Sequence, residues 1–264
     1  MIEYYKLYLP KSRREVKVEI SVPRYRNNIT FDTLYLLDGQ NAFKDSHAAF
    51  GRSIRAARAL GFAAKEMNQR ILGVAIHNSG SDLGRINEYT PFPIDNPADE
   101  AWLAHDVRYC FDFCDDFIST IIPFIESKYK TYKNKDHRFI YGSSLAAVTA
   151  IYLGLRYPDT FSYIGAFSTA SFLFEDKFFA FLDSAFIKDK NIFLYVGKHE
   201  LSDELYDPSV YLNASLKIYH FLKKRNVRTR LVIDPEGSHN EATWERHILD
   251  FLNFIYYDDI IYTN

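Results

Sequence analysis

The stretch Phe139-Ile140-Tyr141-Gly142-Ser143-Ser144-Leu145-Ala146-Ala147 joins a short apolar run to a pattern typical of a helix. Gly142, Ser144 and Ala146 stand two residues apart, which is close to the Gly-x-Ser-x-Gly pattern of a nucleophile elbow. In such an elbow a sharp turn between strand and helix exposes the serine, and small neighbours prevent clashes where the chain turns back. The alternative is an ordinary helix start with the serine as its N-cap.

Apolar runs and helical patterns alternate along the rest of the chain. The runs that predict strands are Ile2–Leu9, Glu15–Val22, 33–37, Ile71–Ile76, Arg138–Tyr141, Tyr163–Phe167, Ile192–Val196 and Thr229–Ile233. The helical patterns cover Ile54–Leu60, Asp106–Tyr129, Leu145–Tyr157, Phe178–Phe186, Pro208–Arg225 and Glu241–Tyr257. This alternation predicts an α/β fold, with a mostly parallel sheet of about eight strands and helices on both faces. The polar turn after Leu9 predicts an antiparallel hairpin at the start.

Composition narrows the classes of protein that fit. A chain of 264 residues suits one α/β domain, so we expect a single domain over 1–264. The 32 basic and 34 acidic residues nearly balance, which disfavours a nucleic-acid-binding protein. The sequence contains no run of 18 apolar residues, so no membrane span is expected. The first residues carry no apolar signal region, and we therefore expect a cytoplasmic protein. Cys110 and Cys114 share a helical face, and we expect them to be reduced thiols in or near the core.

A serine nucleophile needs a histidine base, and in a fold with this elbow the chain order is Ser, acid, His. The histidines after Ser144 are His199, His220, His239 and His247. His220 and His247 fall within helical patterns, whereas His239 lies in the predicted loop Asp234–Asn240, after a strand and before the last helix. Loops at the carboxyl ends of strands are where ligand sites form in open sheets, so His239 is the predicted base.

The acid that orients the base should follow the strand Ile192–Val196. The segment from Gly197 onward carries Glu200 and Asp203, and Glu200 is the first carboxylate after the strand. A carboxylate there would hold the imidazole in one tautomer and stabilise its charged form. Asp203 stays open as the alternative acid. His199 has no partners in the sequence that would make a metal site, so neither metal nor cofactor is expected.

An oxyanion in this chemistry requires two backbone N–H donors. One is expected from Leu145, the residue after the serine, and the other from the loop that follows the third strand. That loop contains Asp38-Gly39-Gln40-Asn41, in which Gly39 permits a sharp turn. Gln40 is therefore the predicted second donor.

Four separated segments of this chain resemble the Putative esterase family of α/β hydrolases, which includes esterase D, feruloyl and siderophore esterases and antigen 85 mycolyltransferases. The segments are Tyr35–Phe43, Arg85–Pro91, the elbow with its helix from Gly142 to Pro158, and Gly237-Ser238-His239 with Trp244. The family usually has two glycines where this chain has Ala146 and Ala147, and it often carries aspartate where we place Glu200.

The resemblance implies an α/β-hydrolase fold and a serine esterase with Ser144 as nucleophile, His239 as base and Glu200 as acid. The expected partner is a small-molecule ester, and siderophore esters and other acylated small molecules are the candidates that the resemblance implies. The alternatives are an acyltransferase on the same scaffold and a non-catalytic binding protein. The irregular stretch 78–104 and the Phe-rich segment 168–190 are expected to shape the pocket, although Phe172, Phe174, Phe178 and Phe179 have the helical spacing of core residues.

Overall fold

The computed structural model describes residues 1–24, 29–95, 106–200, 207 and 209–257. Within them an eight-stranded sheet has the order β1-β2-β4-β3-β5-β6-β7-β8. Its strands are β1 (Ile2–Leu9), β2 (Arg14–Ser21), β3 (Asp32–Leu36), β4 (Ile71–Ile76), β5 (Arg138–Ser143), β6 (Tyr163–Phe167), β7 (Asn191–His199) and β8 (Arg228–Ser238). β1 and β2 pair antiparallel, β2 pairs antiparallel with β4, and the remaining pairs are parallel. The predicted mostly parallel sheet with an N-terminal hairpin is therefore confirmed.

Helices cover both faces of the sheet. They are α1 (Ala56–Glu66), α2 (Asp82–Tyr89), α3 (Val107–Asp116), α4 (Ile122–Lys128), α5 (Leu145–Arg156), α6 (Glu175–Ser184), α7 (Val210–Lys224) and α8 (Glu241–Tyr256). Side chains of β3 alternate between two cores. Tyr35 lies in the core under α2 to α7, and Leu34 and Leu36 lie in the core under α1 and α8. None of the helices in the described ranges is long and apolar enough to span a membrane.

Two helical regions differ from the expectation. The predicted helix over Asp106–Tyr129 is interrupted by a π turn at Phe117–Ile121 between α3 and α4. Pro123 lies at the start of α4 and has no N–H for a regular helical bond, which explains an irregular turn at this point. The stretch expected to be irregular after Asn78 contains α2, which starts at the N-cap Ser81. Both cysteines are buried and free, as expected.

The last two strands extend further than their apolar runs. β7 continues through Gly197 to His199, and β8 continues through Asp234 to Ser238, so the loops predicted at these places were wrong. The two strands pair along this extension, with an irregular register between Gly197 and His199. Polar residues and a proline hid the strand signal in the sequence. As a result Glu200 and His239 each directly follow a strand.

The junction of β5 and α5 has the geometry of an elbow. Ser144 has φ 59° and ψ −125°, and its side chain makes no capping bond to the helix, which argues against the N-cap alternative. A Cβ built on Gly142 would lie 2.1 Å from the carbonyl oxygen of Ala146. Ala146 and Ala147 are fully buried. The position that demands glycine is therefore Gly142, and the alanines fit behind the turn.

We expect Gly142→Ala to lower the free energy of unfolding by at least about 2 kcal/mol, because the added methyl would collide with backbone rather than with a movable side chain. The matched control is Gly61→Ala in α1, where an added Cβ meets nothing within 4 Å. That control should be stabilised by about 0.5–1 kcal/mol, as for alanine in any helix interior. Urea titration of both variants measures the two changes. Equal stabilities would contradict the close contact at the elbow.

Candidate active site

The predicted site residues meet at the carboxyl edge of the parallel strands. Ser144 follows β5, Glu200 follows β7 and His239 follows β8, while Gln40 lies in the turn after β3. Ser144, His239 and Gln40 line one cavity of about 770 Å³. Glu200 is buried behind His239, with 4% of its surface exposed. The alternative acid Asp203 lies outside the described residues.

His239 and Glu200 are joined by a hydrogen bond. The distance from Nδ1 of His239 to Oε2 of Glu200 is 2.7 Å. The other carboxylate oxygen, Oε1, accepts hydrogen bonds from the backbone N–H of Gly197 at 2.6 Å and from the hydroxyl of Ser168 at 2.7 Å. With Nδ1 as the donor to the carboxylate, Nε2 of His239 is free to act as a base.

Two aromatic rings hold the imidazole of His239. The ring centroid of Tyr211 lies 4.5 Å away at an angle of 40°, and Trp244 meets the imidazole edge-on at 5.0 Å. The His239 side chain remains 20% exposed on the cavity side. Its ring is thus fixed in position while one edge faces the cavity.

The competing histidine His247 is committed elsewhere. Its Nδ1 lies 2.8 Å from Asp250 and its Nε2 lies 3.1 Å from Asp234. Burial lowers the pKa of His247, but the hydrogen bonds that its ring nitrogens make to these two carboxylates outweigh burial, and the pKa is raised. With both ring nitrogens occupied, His247 has no nitrogen left to act on a substrate.

The turn that carries Gln40 is built by close packing. Asp38 has φ 52°, and a Cβ on Gly39 would lie 2.5 Å from the backbone nitrogen of Ile76 in β4. Glycine is therefore required where this turn passes the neighbouring strand. Across the cavity, Leu145 is the first residue of α5, so its N–H has no partner within the helix. The two predicted donors stand on separate elements that border the same cavity.

The ion pair of Asp38 with Arg85 ties this turn to α2. Nε and Nη2 of Arg85 donate to the Asp38 carboxylate at 3.0 and 2.7 Å, and Nδ2 of Asn78 donates to it at 2.7 Å. The backbone N–H of Asp38 donates to the hydroxyl of Tyr89 at 3.0 Å. Burial lowers the pKa of Arg85, but Asp38 outweighs this and raises it. Both segments stood out in the sequence, but their pairing was not predicted. The pairing depends on tertiary contact between the turn after β3 and α2.

Glu241 is an acidic residue of the cavity lining that the sequence did not indicate. Its Oε1 accepts a hydrogen bond of 2.8 Å from Nδ2 of Asn41, and Asn41 in turn accepts from the backbone N–H of Ala49 at 2.9 Å. Burial raises the pKa of Glu241. The only sequence signal was its place two residues after His239. The bond connects the start of α8 to the turn that carries Gln40.

A buried carboxyl also supports the far wall of the cavity. Glu88 forms an ion pair with Arg14 and accepts a hydrogen bond of 3.0 Å from the backbone N–H of Ser79. Arg14 and Ser79 both line the cavity. Burial outweighs the attraction of Arg14 and raises the pKa of Glu88 to about 7. This wall is therefore sensitive to protonation near neutral pH.

The Phe-rich segment does not reach this cavity. Phe174 and Phe178 are fully buried, and Phe172 and Phe179 pack against the same core. Their interpretation as core residues agrees with these contacts. The stretch 78–104 was expected to shape the pocket, and in the structure Asn78–Asp82 and Arg85 line the cavity. Residues 96–105 lie outside the described part of the chain.

Comparison with known proteins places this geometry in a family. The model of the family described as Putative esterase matches residues 10–254. An IroE-like serine hydrolase from Shewanella oneidensis superposes with a TM-score of 0.77 at 20% identity, over 96% of this chain and 79% of that chain. A ferulic acid esterase gives a TM-score of 0.73 at 16% identity, over 97% of each chain. The enterobactin esterase FES from Shigella flexneri gives 0.72 at 15% identity, over 96% of this chain and 59% of that chain. These structures share the α/β-hydrolase type of fold.

We expect the stability of the protein to fall as the pH rises from about 4.5 to about 7, on account of Glu88. Its pKa is raised from an ordinary 4.5 to about 7, so the folded state holds this proton more tightly than the unfolded chain. The stabilising contribution is therefore full below pH 4.5 and is lost as the pH passes 7, with a size on the order of 3 kcal/mol. Urea titrations at pH 4.5, 6 and 8 measure the free energy of unfolding. It should fall less between pH 4.5 and pH 8 in Glu88→Gln than in the wild type. The same loss in both proteins would contradict the assignment.

Proposed function

This chain belongs to the Putative esterase family and is a carboxylic ester hydrolase, and we propose that it acts through an acyl-enzyme formed on Ser144. The observation that carries this proposal is the arrangement of Ser144 on a left-handed turn and His239 at the same cavity, with Nδ1 of His239 bonded to the buried Glu200. A nucleophile, a base and an orienting acid on three separate strand ends are what the reaction requires.

The reaction begins when Nε2 of His239 takes the proton of the Ser144 hydroxyl as Oγ attacks the ester carbonyl. The negative charge on the carbonyl oxygen is received by the backbone N–H groups of Gln40 and Leu145, each typically worth about 10²–10³ in rate. The imidazolium then protonates the departing alcohol and leaves the acyl group on Ser144. A water molecule, deprotonated by His239, releases the acid and restores the enzyme. Glu200 stabilises the imidazolium in both halves.

The cavity supports a proposal for the substrate class. A volume of about 770 Å³ suits a small molecule. Most of the residues that line it are polar or charged, including Asn78, Arg85 and Lys17, and the exposed ring of Phe50 also contributes to the lining. We therefore propose a small ester that bears several hydrogen-bonding groups. Esters of ferulic acid and enterobactin, after which the similar esterases are named, are the first compounds to test.

Ser144→Ala should abolish hydrolysis of p-nitrophenyl acetate and leave the thermal unfolding temperature close to that of the wild type. The variant lacks the attacking oxygen but keeps every backbone contact of the elbow. A fluorophosphonate probe followed by peptide mapping should label Ser144 in the wild type and no serine in the variant. Undiminished turnover in Ser144→Ala, or a wild type that resists the probe, would refute the acyl-enzyme.

Replacing the acid tests its role separately from that of the nucleophile. Glu200→Gln should lower kcat by about 10³–10⁴, because the imidazolium loses its charge partner and the tautomer of His239 is no longer fixed. The matched control is Glu236→Gln, an exposed carboxylate on β8, which should change kcat by less than about twofold. If both variants retained wild-type kcat, the acid would have to be another residue.

A further inference from the structure

We propose that Trp244 is a positioning residue that acts through Ser168 on Glu200, so that the proton between His239 and Glu200 is held on Nδ1 of His239. The proposal rests on the function assigned above to His239 and Glu200. It concerns two side chains outside the triad, Trp244 in α8 and Ser168 after β6. They come from segments 76 residues apart and meet behind the acid.

The direction of the hydrogen bonds is set by the indole. Nε1 of Trp244 lies 2.9 Å from Oγ of Ser168. An indole nitrogen can only donate, so Ser168 must accept this bond with a lone pair. The hydroxyl proton of Ser168 is then directed to its other neighbour, Oε1 of Glu200, at 2.7 Å.

Glu200 therefore receives two donors on one oxygen of its carboxylate. Oε1 accepts from Ser168 and from the backbone N–H of Gly197. The remaining oxygen, Oε2, faces Nδ1 of His239 at 2.7 Å. With Glu200 as the ionised acid of the function proposed above, Oε2 accepts and Nδ1 of His239 carries the proton. Nε2 is left with the lone pair that takes the proton of Ser144.

The chain of hydrogen bonds from Trp244 through Ser168 to Glu200, called the relay below, is shielded from water. Ser168 is fully buried, and Trp244 and Glu200 are 5% and 4% exposed, so water cannot readily replace a lost donor. Ser168 also has φ 49°, an uncommon conformation for a residue with a side chain, and its backbone N–H donates to Tyr195 at 2.7 Å. The hydroxyl is thus held by backbone geometry at the one place where it reaches both partners.

Trp244→Phe tests the relay because it keeps an aromatic ring beside His239 and removes the N–H donor. We expect kcat for p-nitrophenyl acetate to fall about tenfold with KM within twofold, the size expected when a buried hydrogen bond to a charged network is lost. Ser168→Ala should lower kcat by a similar factor. The decisive measurement is the double variant, which should be no more than about twofold slower than the slower single variant, because both changes break one chain of bonds.

An effect of Trp244 on kcat that does not pass through Ser168 predicts a different result. In that case the two losses would multiply to about 100-fold. The matched control is Phe254→Leu, which loosens the packing of α8 against β7 at a position ten residues after Trp244. It should lower the unfolding temperature and leave kcat within about twofold.

Proton NMR supplies a readout that does not depend on turnover. The wild type should show a strongly deshielded resonance from Nδ1–H of His239, absent in His239→Gln, and it should weaken in Trp244→Phe. Multiplying losses, or full kcat in Trp244→Phe, would overturn the relay while leaving the acyl-enzyme intact. Full activity in Ser144→Ala would instead overturn the proposed function.

Discussion

The close approach of α5 to β5 is the contact on which the remainder of the site depends. Gly142 has no room for a Cβ against the carbonyl of Ala146, and the chain can turn this tightly only because it passes through a left-handed conformation at Ser144. The backbone N–H of Ser144 is held by the carbonyl of Phe167 in the next strand at 2.9 Å. Local sterics and sheet pairing therefore both fix the position of the serine, and α5 begins directly beside the cavity that Ser144 lines.

The second requirement is that β7 and β8 stay paired beyond their apolar portions. A Cβ on Gly197 would lie 2.3 Å from the carbonyl oxygen of Gly237, so two glycines allow the strand ends to approach closely. This approach brings Glu200 and His239 into hydrogen-bond contact although 39 residues separate them in the chain. The polar residues of this extension would weaken a central strand, but β8 is an edge strand and tolerates them.

The sequence predicted the parts of this arrangement that depend on local pattern. The apolar runs located every strand, and the Gly142-x-Ser144 spacing located the elbow, because strand and turn preferences act over a few residues. The ends of β7 and β8 were not predictable, since Gly197 and Gly237 suggest turns in isolation and form a strand only when they face each other. The bonds of Ser168 to Trp244 and of Asp38 to Arg85 were missed for a related reason. Each joins segments whose proximity is decided by the sheet order and not by their own composition.

Buried charge around the cavity acts on geometry more than on stability. A buried ion pair generally contributes little net free energy, because desolvation offsets the attraction, but removing one partner is costly. In this protein the buried carboxylates of Asp38, Glu88 and Glu200 each meet a donor on a different element. Every such pair therefore penalises a displacement of one element relative to another by leaving a charge unpaired. The hydrophobic cores hold the layers together. The pairs made by the buried carboxylates fix the relative positions of the strand ends with a precision comparable to the length of a hydrogen bond. Precision of that order is what the proposed proton transfer from Ser144 to His239 requires.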